Sequence, residues 1–420
     1  MKLVADLHIH SKYSRATSRE MNLEALFLWS RFKGINLLGT GDFTHPIWFG
    51  EIEQKLESVE EGLYKLKDKE DSPYFILSSE ISCIYSKNNR VRKIHLVILA
   101  PSLNAVRKIN TTLTGRGNLF SDGRPILGMD AKELAKIILD IAPDAIIIPA
   151  HIWTPWFSLF GANSGFDSVQ ECFDEISKEI FAVETGLSSD PQMNWRLSQL
   201  DRMSIISCSD AHSPSKLGRE ATVFDIDPNF ISLRNAMKNP KKGEEILYTI
   251  EFYPEEGKYH YTGHRNCNIV QSPEETKKKG AICPVCGRKL TVGVMHRVEE
   301  IADKPLDFKD EKRPFFKSLV PLIEIIAESQ NLGAESKKVR GDYLKIISRF
   351  KNEFNVLLDE PLENIKREDE KLAEGIKKIR EGQISIAPGY DGVFGKVKIW
   401  SEADKLPKQK QDTLFSDYKD

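Results

Sequence analysis

As far as Phe230, short apolar runs alternate with stretches whose apolar residues recur every three to four positions. The runs are Leu3–His10, Ile35–Thr40, Tyr74–Ser79, Ile94–Ala100, Ala145–His151, Phe181–Thr185 and Ser204–Ser209. Several are apolar throughout, such as Ala145-Ile146-Ile147-Ile148, as expected of strands covered on both faces. Leu23–Phe32 and Ala131–Ile141 carry helical spacing. Strand–helix alternation predicts a parallel α/β sheet, open or closed into a barrel. Beyond Glu300 the pattern turns helical, over Phe316–Ala327, Gly341–Leu358 and Ile365–Arg380. Two strand-like runs then flank Pro388-Gly389-Tyr390-Asp391-Gly392. From Ser401 the chain is polar and expected to be disordered. The pattern divides the chain at about residues 250, 300 and 400 into an α/β domain, a small cysteine-bearing domain, a mainly helical domain and a tail.

With 420 residues, two or three domains are the expectation. Net charge is -2, so no global basic field announces nucleic acid, though a local patch is not excluded. No apolar run approaches the roughly 18 residues of a membrane span, and the N-terminus enters a strand without a leader pattern. A cytoplasmic protein is expected. Of the six cysteines, Cys83, Cys172 and Cys208 are isolated. Cys267, Cys283 and Cys286 cluster, which in a reducing compartment points to metal rather than disulfides.

The candidate chemistry sits on the strand ends. On one strand, His8 and His10 share a face about 6–7 Å apart and can share a metal ion, with Leu7 and Ile9 turned to packing. Asp42 and His45 follow the second run, Glu80 ends the third, and His95 lies early in the fourth. His151 ends the fifth, Glu184 the sixth, and Asp210 and His212 follow the seventh. In parallel α/β folds functional groups gather at the carboxyl ends of strands, so His95 requires a shifted register or a side-by-side strand. Six of the nine histidines fall in this set, which a metal cluster explains better than separate core or loop roles. Mixed imidazole and carboxylate donors suit zinc, manganese or iron, with magnesium a further alternative. A bridging carboxylate would hold two metals about 3.5–4 Å apart, the spacing of in-line phosphoryl displacement.

Around His151 the chain reads His151-Ile152-Trp153-Thr154-Pro155-Trp156-Phe157, and then Ser158 to Gly165 through Asn163. Such an aromatic lid either packs on itself or stacks on a nucleobase. Asp190, in the loop after the sixth strand, is either an acid at the site mouth or a helix cap. His264-x2-Cys267 and Cys283-x2-Cys286 have the spacing of a structural zinc site, with His260 a rival ligand. Between Lys258 and Glu300 eight Lys and Arg face four Glu, a plausible nucleic-acid face. Gln411-Asp412-Thr413-Leu414-Phe415-Ser416-Asp417-Tyr418 resembles a sliding-clamp-binding box, departing from it at Asp417.

Asp6-Leu7-His8-Ile9-His10-Ser11, Gly39-Thr40-Gly41-Asp42, Glu80, His95, His151 and Ser209-Asp210-Ala211-His212 resemble the PHP (polymerase and histidinol phosphatase) superfamily. The resemblance implies a distorted (β/α)7 barrel with a di- or trinuclear metal site. It places His8, His10, Glu80 and Asp210 on one metal, and a bridging Glu80 with His95 and His151 on a second. His212 with Asp42 or His45 would hold a third. With the finger and helical tail, and with Ser14-Arg15-Ala16-Thr17-Ser18 and Gly263-His264-Arg265, the chain resembles the endonuclease Q family. That resemblance implies a nucleoid-associated DNA-repair enzyme that nicks 5′ to hypoxanthine, xanthine, uracil or an abasic site. Asp42, Glu80, Asp190 and Asp210 are then the expected catalytic acids. Arg15, Trp153, Trp156, Phe157 and Asn163 are the expected contacts to damaged DNA. A small-molecule phosphatase of the PHP class and a metal-binding adaptor without catalysis are the rival expectations.

Overall fold

A computed structural model describes residues 1–400, so the polar end from Ser401 and its clamp-type box lie outside the described residues. The seven expected strands all form, several of them shorter than their apolar runs. Strand β1 (Lys2–Asp6) runs parallel to β2 (Leu37–Gly39), and β2 parallel to β3 (Tyr74–Lys87). At β4 (Arg90–Ala100) the parallel order is broken. Only two residues, Asn88 and Asn89, separate β3 from β4, and both have positive φ. A connection that short closes only an antiparallel hairpin, since parallel neighbours need a crossover. Strand β4 in turn pairs antiparallel with β5 (Ile146–Pro149). Strands β6 (Ala182–Glu184) and β7 (Ser204–Ile206) form a parallel pair of their own.

On the other side of β1 lie two strands that the apolar pattern did not single out, β8 (Ala221–Asp225) and β9 (Glu245–Glu251), both antiparallel to their inner neighbour. Strand β10 (Phe315–Ser318) lies parallel to β9. It occupies the start of the expected helix Phe316–Ala327, which begins instead at Leu322, because Pro321 cannot continue a helix from its N-terminal side. The expected helix Gly341–Leu358 likewise stops at Phe350, where Lys351 turns to φ 73° and the chain folds back.

Both faces of the sheet are covered. Leu3, Ala5, Leu7, Ile76, Val97, Ile148 and Ile206 pack with Phe230 on one face. Val4, Phe75 and Leu96 belong to the larger core on the other, shared with the flanking helices and with Leu322, Tyr343 and Ile376 of the C-terminal helices. Period-two alternation of strand side chains makes this division. The pair β6–β7 joins β5 and β1 by hydrogen bonds at and just beyond the strand ends. Ile152 donates to the Glu184 carbonyl at 3.1 Å, and His10 donates to the Ala211 carbonyl at 3.0 Å. These contacts draw the ends of β1, β5, β6 and β7 together. No helix among the described residues is long and apolar enough to cross a membrane.

Candidate metal centre

The regular part of β1 stops at Asp6, so His8 and His10 stand on the irregular segment after it rather than within the strand. Their rings lie 5.4 Å apart, and Leu7 and Ile9 pack into different cores. The anchor of that segment is Asp6, fully buried, which accepts from the Ser209 and Gly218 N–H groups at 2.9 Å each. It ties the end of β1 to the loop that carries Asp210.

Two groups of donor atoms result. His8, His10 and Asp210 form one; Glu80, His95 and His151 form the other. Glu80, on β3, faces both. Its Oε2 lies 3.2 Å from His10 Nε2 and 3.5 Å from His8 Nε2. Its Oε1 lies 2.6 Å from His95 Nδ1 and 3.1 Å from His151 Nε2. One carboxylate oxygen toward each imidazole set is the geometry of a bridging ligand. Asp210 Oδ1 completes the first set, 3.1 Å from His10 Nε2 and 3.7 Å from His8 Nε2. His95 reaches the cluster because β4 runs against β3: Ser82 pairs with His95, so the early half of β4 lies beside the late half of β3.

The far sides of the imidazoles are held as well. His8 Nδ1 meets both Glu184 oxygens at 2.9 and 3.0 Å, and Glu184 also accepts from the His151 N–H at 2.8 Å. His10 Nδ1 meets Asp42 Oδ1 at 3.0 Å. Asp42 Oδ2 accepts from the Ser11 N–H and hydroxyl at 2.6 Å each and from the Ser14 hydroxyl at 2.9 Å. Asp42 and Glu184, both expected ligands, thus face imidazole Nδ1 atoms, and neither belongs to the two donor groups. Nor do Asp42, His45 and His212 assemble a third donor group. His45 caps the helix Pro46–Lys55, with its Nδ1 3.5 Å from the Trp48 N–H, and its ring stacks on Tyr13 at 4.4 Å. His212 turns Nδ1 to the Asp210 carbonyl at 2.8 Å, its ring 4.6 Å from that of His10.

The field in the cluster is strongly negative. Burial disfavours the His8 and His10 cations, yet Glu184 and Glu80 around one and Asp42 and Asp210 around the other raise both well above the usual imidazole range. Burial also opposes ionisation of Glu80, but His95, Arg124 and His8 outweigh it and hold the carboxyl well below its usual value. Surroundings that favour a proton on two adjacent imidazoles favour a divalent cation between them more. Burial pushes His95 down to about 4. The buried Nε2 atoms of His8 and His10 and Oδ1 of Asp210 have no hydrogen-bond partner, so the donor set fits a metal.

Sequence reasoning missed Arg124. Its Nη1 donates to Glu80 Oε2 at 3.1 Å. The loop delivering it is seated by Gly123, where a Cβ would lie 2.3 Å from Asp42 Oδ2 and 2.4 Å from Ser14 Oγ. The only signal was Asp122-Gly123-Arg124, a turn-like triplet far in sequence from every ligand.

The remaining candidates spread out. Trp153 is buried and donates its Nε1–H to Asn194 at 2.8 Å, which holds the lid down. Trp156 is exposed, edge-on to Tyr259 at 5.6 Å. Phe157 packs on His95 with ring centroids 4.8 Å apart. Asn163 is exposed on the same lid. Arg15 is exposed and pairs with Asp122 at 3.3 Å. Asp190 caps the helix Pro191–Trp195 by accepting from the Met193 N–H at 2.8 Å, and among the described residues nothing bonds it to the cluster.

A second donor set lies apart. His264, Cys267, Cys283 and Cys286 bring four ligand atoms within 4.8 Å of one another. The hairpin of Thr262–His264 with Ile269–Gln271 presents the first two, and a turn through Gly287 at φ 71° presents the others. Against burial, the N–H groups of Cys286 and Val285 hold the Cys283 thiol at about 6, the arrangement of a metal-binding knuckle. His260, the rival ligand, is buried outside this set.

Residues 321–383 match the family described as the MJ0043 C-terminal domain. The chain is 34% identical over 257 residues to the uncharacterized protein MJ0043 of Methanocaldococcus jannaschii, covering 59% of this chain and about a third (31%) of that protein's length. It is 29% identical to the uncharacterized protein YqxK of Bacillus subtilis, over 94% of this chain and 99% of that one. Among solved structures it resembles the lesion-specific endonuclease PfuEndoQ of Pyrococcus furiosus, with a TM-score of 0.85, 32% identity and coverage of 99% of this chain and 100% of that one. It is similar, with a TM-score of 0.85 and 31% identity over 98% of this chain and all (100%) of the other, to endonuclease Q in complex with a 27-mer duplex bearing an abasic lesion at the active site.

Proposed function

Because the chain belongs to the endonuclease Q family and is an endodeoxyribonuclease, we propose that it nicks damaged duplex DNA in repair, on the 5′ side of an abasic site or of hypoxanthine, xanthine or uracil. The full-length likeness to an endonuclease Q bound to an abasic duplex carries this reading. We read the sheet as the distorted barrel expected of the PHP superfamily, with its site at the converging strand ends. His8, His10 and Asp210 would hold one divalent metal, and His95 and His151 a second, with Glu80 shared. Bound there, the metals lower the pKa of water and neutralise phosphoryl charge. Glu184 and Asp42 keep His8 and His10 in the tautomer whose Nε2 lone pair faces inward. Phe157 shields His95 from solvent. Zinc is the proposed ion of the Cys/His knuckle, and manganese, magnesium or zinc that of the strand-end cluster.

A deaminated base differs from its parent on the pairing edge, which an intact duplex hides, so the base is read after extrusion. The exposed Trp156 stands where it can stack on what extrusion exposes. The test uses 5′-labelled duplexes, each carrying one abasic site or deaminated base, with divalent metal, with chelator, and with Glu80→Ala. Metal-dependent cleavage just 5′ to the lesion, lost with chelator and in the variant, is expected. Cleavage insensitive to both, or turnover of histidinol phosphate with no nicking, overturns the reading.

A further inference from the structure

Arg124 is a cation set into a cluster of metal-type ligands with most of its hydrogen-bonding capacity unused. A guanidinium has five N–H donors. In Arg124 one is bonded, Nη1 to Glu80 Oε2 at 3.1 Å, and among the described residues its side chain makes no other hydrogen bond. The side chain is 26% exposed, so it is neither sealed in nor free in water. Its backbone is fixed. The Arg124 N–H donates to Asp122 Oδ1 at 3.1 Å, the Gly123 N–H donates to the Tyr13 carbonyl at 3.0 Å, and the Thr44 hydroxyl donates to the Gly123 carbonyl at 3.3 Å. Asp122 also accepts from the Arg15 N–H at 3.2 Å and pairs with the Arg15 side chain, so the loop is clamped to the segment following His10. Only glycine fits at 123, where a Cβ would strike Asp42 and Ser14.

A structural ion pair does not require this. Glu80 is already surrounded by four imidazoles, and a rigid loop that places one further cation beside it leaves the rest of that cation's N–H fork without a hydrogen-bond partner among the described residues. Such a fork matches two oxygens of a phosphodiester. Resting on the nuclease reading above, we propose that Arg124 binds the scissile phosphate directly, supplying to its non-bridging oxygens a positive charge that does not depend on the metals.

Three proteins test this: wild type, Arg124→Ala and Arg124→Lys. Each is assayed on an abasic duplex and on bis(p-nitrophenyl) phosphate, a phosphodiester without a lesion or a base. Metal per chain is measured by elemental analysis, and the melting shift is read with inorganic phosphate. Arg124→Ala is expected to keep its metals, to lose roughly 100-fold or more in rate on both substrates, and to lose the phosphate-induced melting shift. Free guanidinium should restore part of its rate. Arg124→Lys, a point charge without the fork, should fall between. If the alanine variant stays within threefold of wild type, or loses metal in step with rate and gains nothing from guanidinium, Arg124 only tethers Glu80 and the proposal falls. Were wild type to hydrolyse the small diester with this Arg124 dependence and leave every lesion duplex intact, the lesion reading would fail and the assignment of Arg124 would stand.

Discussion

Three residues of the cluster's strand ends, Asp42, His151 and Asp210, have φ of 47°, 32° and 47°. Non-glycine residues enter this left-handed region only at a cost of about 1–3 kcal/mol, and such strain gathers at functional sites. Beside His151 the cost is shared: at Gly186, itself at φ 60°, a Cβ would come within 2.3 Å of the His151 Cβ. At this scale the sequence was legible in residue type and illegible in atom direction. That His8, His10, Glu80, His151 and Asp210 come together was readable from their places on and after the strands, whereas His95, early in its strand, needed the antiparallel pairing of β4 with β3. That Asp42 and Glu184 face imidazole Nδ1 atoms was not, because a carboxylate after a strand reads the same whether it faces a metal or a ligand's far side. The aromatic lid shows the same limit. Trp153 and Trp156 are indistinguishable in the sequence, yet one is sealed against Asn194 and the other is open to solvent. They should part in experiment. Trp156→Ala is expected to weaken lesion-duplex binding by about 1–3 kcal/mol, less on single strands where stacking is already lost, with bound metal unchanged. Trp153→Ala should chiefly lower thermal stability. Fluorescence-anisotropy titrations on the two substrates, beside melting curves, distinguish these. Equal binding losses in both variants would contradict the division.

Among the elements, the knuckle was the easiest to read, since Cys-x2-Cys sets both thiols on one turn whatever surrounds it. Its energetic role follows. Thiolate–metal ligation contributes folding free energy directly. Cys283→Ser is expected to remove about one zinc per chain and to loosen DNA binding while the strand-end cluster keeps its metals. Elemental analysis beside DNA titration checks this, and undiminished zinc would assign the ion elsewhere. Less legible was β9, whose apolar run Ile246 to Ile250 ends in buried Glu251. Burial pushes this carboxyl up to about 8, against the hydroxyls of Ser207 and Thr249, with Asp190 adding to the rise. Buried Glu220 beside it is raised as well, by burial and by Glu251. A carboxyl with a raised folded pKa keeps a proton that the unfolded chain has released. Its stability contribution is therefore full below the ordinary value of 4.5 and falls as pH climbs toward about 8. Glu251→Gln mimics the protonated form at every pH. Its stability advantage over wild type should grow between pH 5 and pH 8, reaching on the order of a few kcal/mol. Urea midpoints across that range measure it, and an advantage independent of pH would mean that Glu251 is ionised throughout.

For the molecule as a whole, alternation of strand and helix disclosed an α/β sheet but not its directions. The reversal at β4 rests on a two-residue link, and β8 and β9 are antiparallel additions, β8 pairing with β1 from more than two hundred residues further along the chain and β9 with β8. Nor does helical periodicity after Glu300 say where the helices dock. They dock on the sheet's own flank, in one continuous core. At that junction is a buried ion pair between the helix Leu23–Lys33 and the bend that ends the helix Lys337–Phe350. Lys33 Nζ lies 2.6 Å from Glu353 Oε2, which also accepts from the Tyr343 hydroxyl at 2.8 Å, while Glu353 Oε1 accepts from the Leu322 N–H at 3.0 Å. Both charged side chains are nearly fully buried, at 3% and 4% exposure. A lone lysine in an amphipathic helix and a lone glutamate in a charged segment give no sequence sign of each other. Desolvating two charges offsets most of their attraction, so the pair adds little net stability, but it penalises any arrangement that separates them. Removing one partner is thus the informative perturbation. Lys33→Met strands Glu353 in the core and should destabilise the protein by about 3–5 kcal/mol, within a single unfolding transition because the two regions share their packing. Adding Glu353→Gln should recover much of the loss by removing the orphaned charge. Calorimetry of wild type, the single and the double variants decides it. A second transition in Lys33→Met would mean that the helical region folds by itself, and an unchanged midpoint would mean that water reaches the pair.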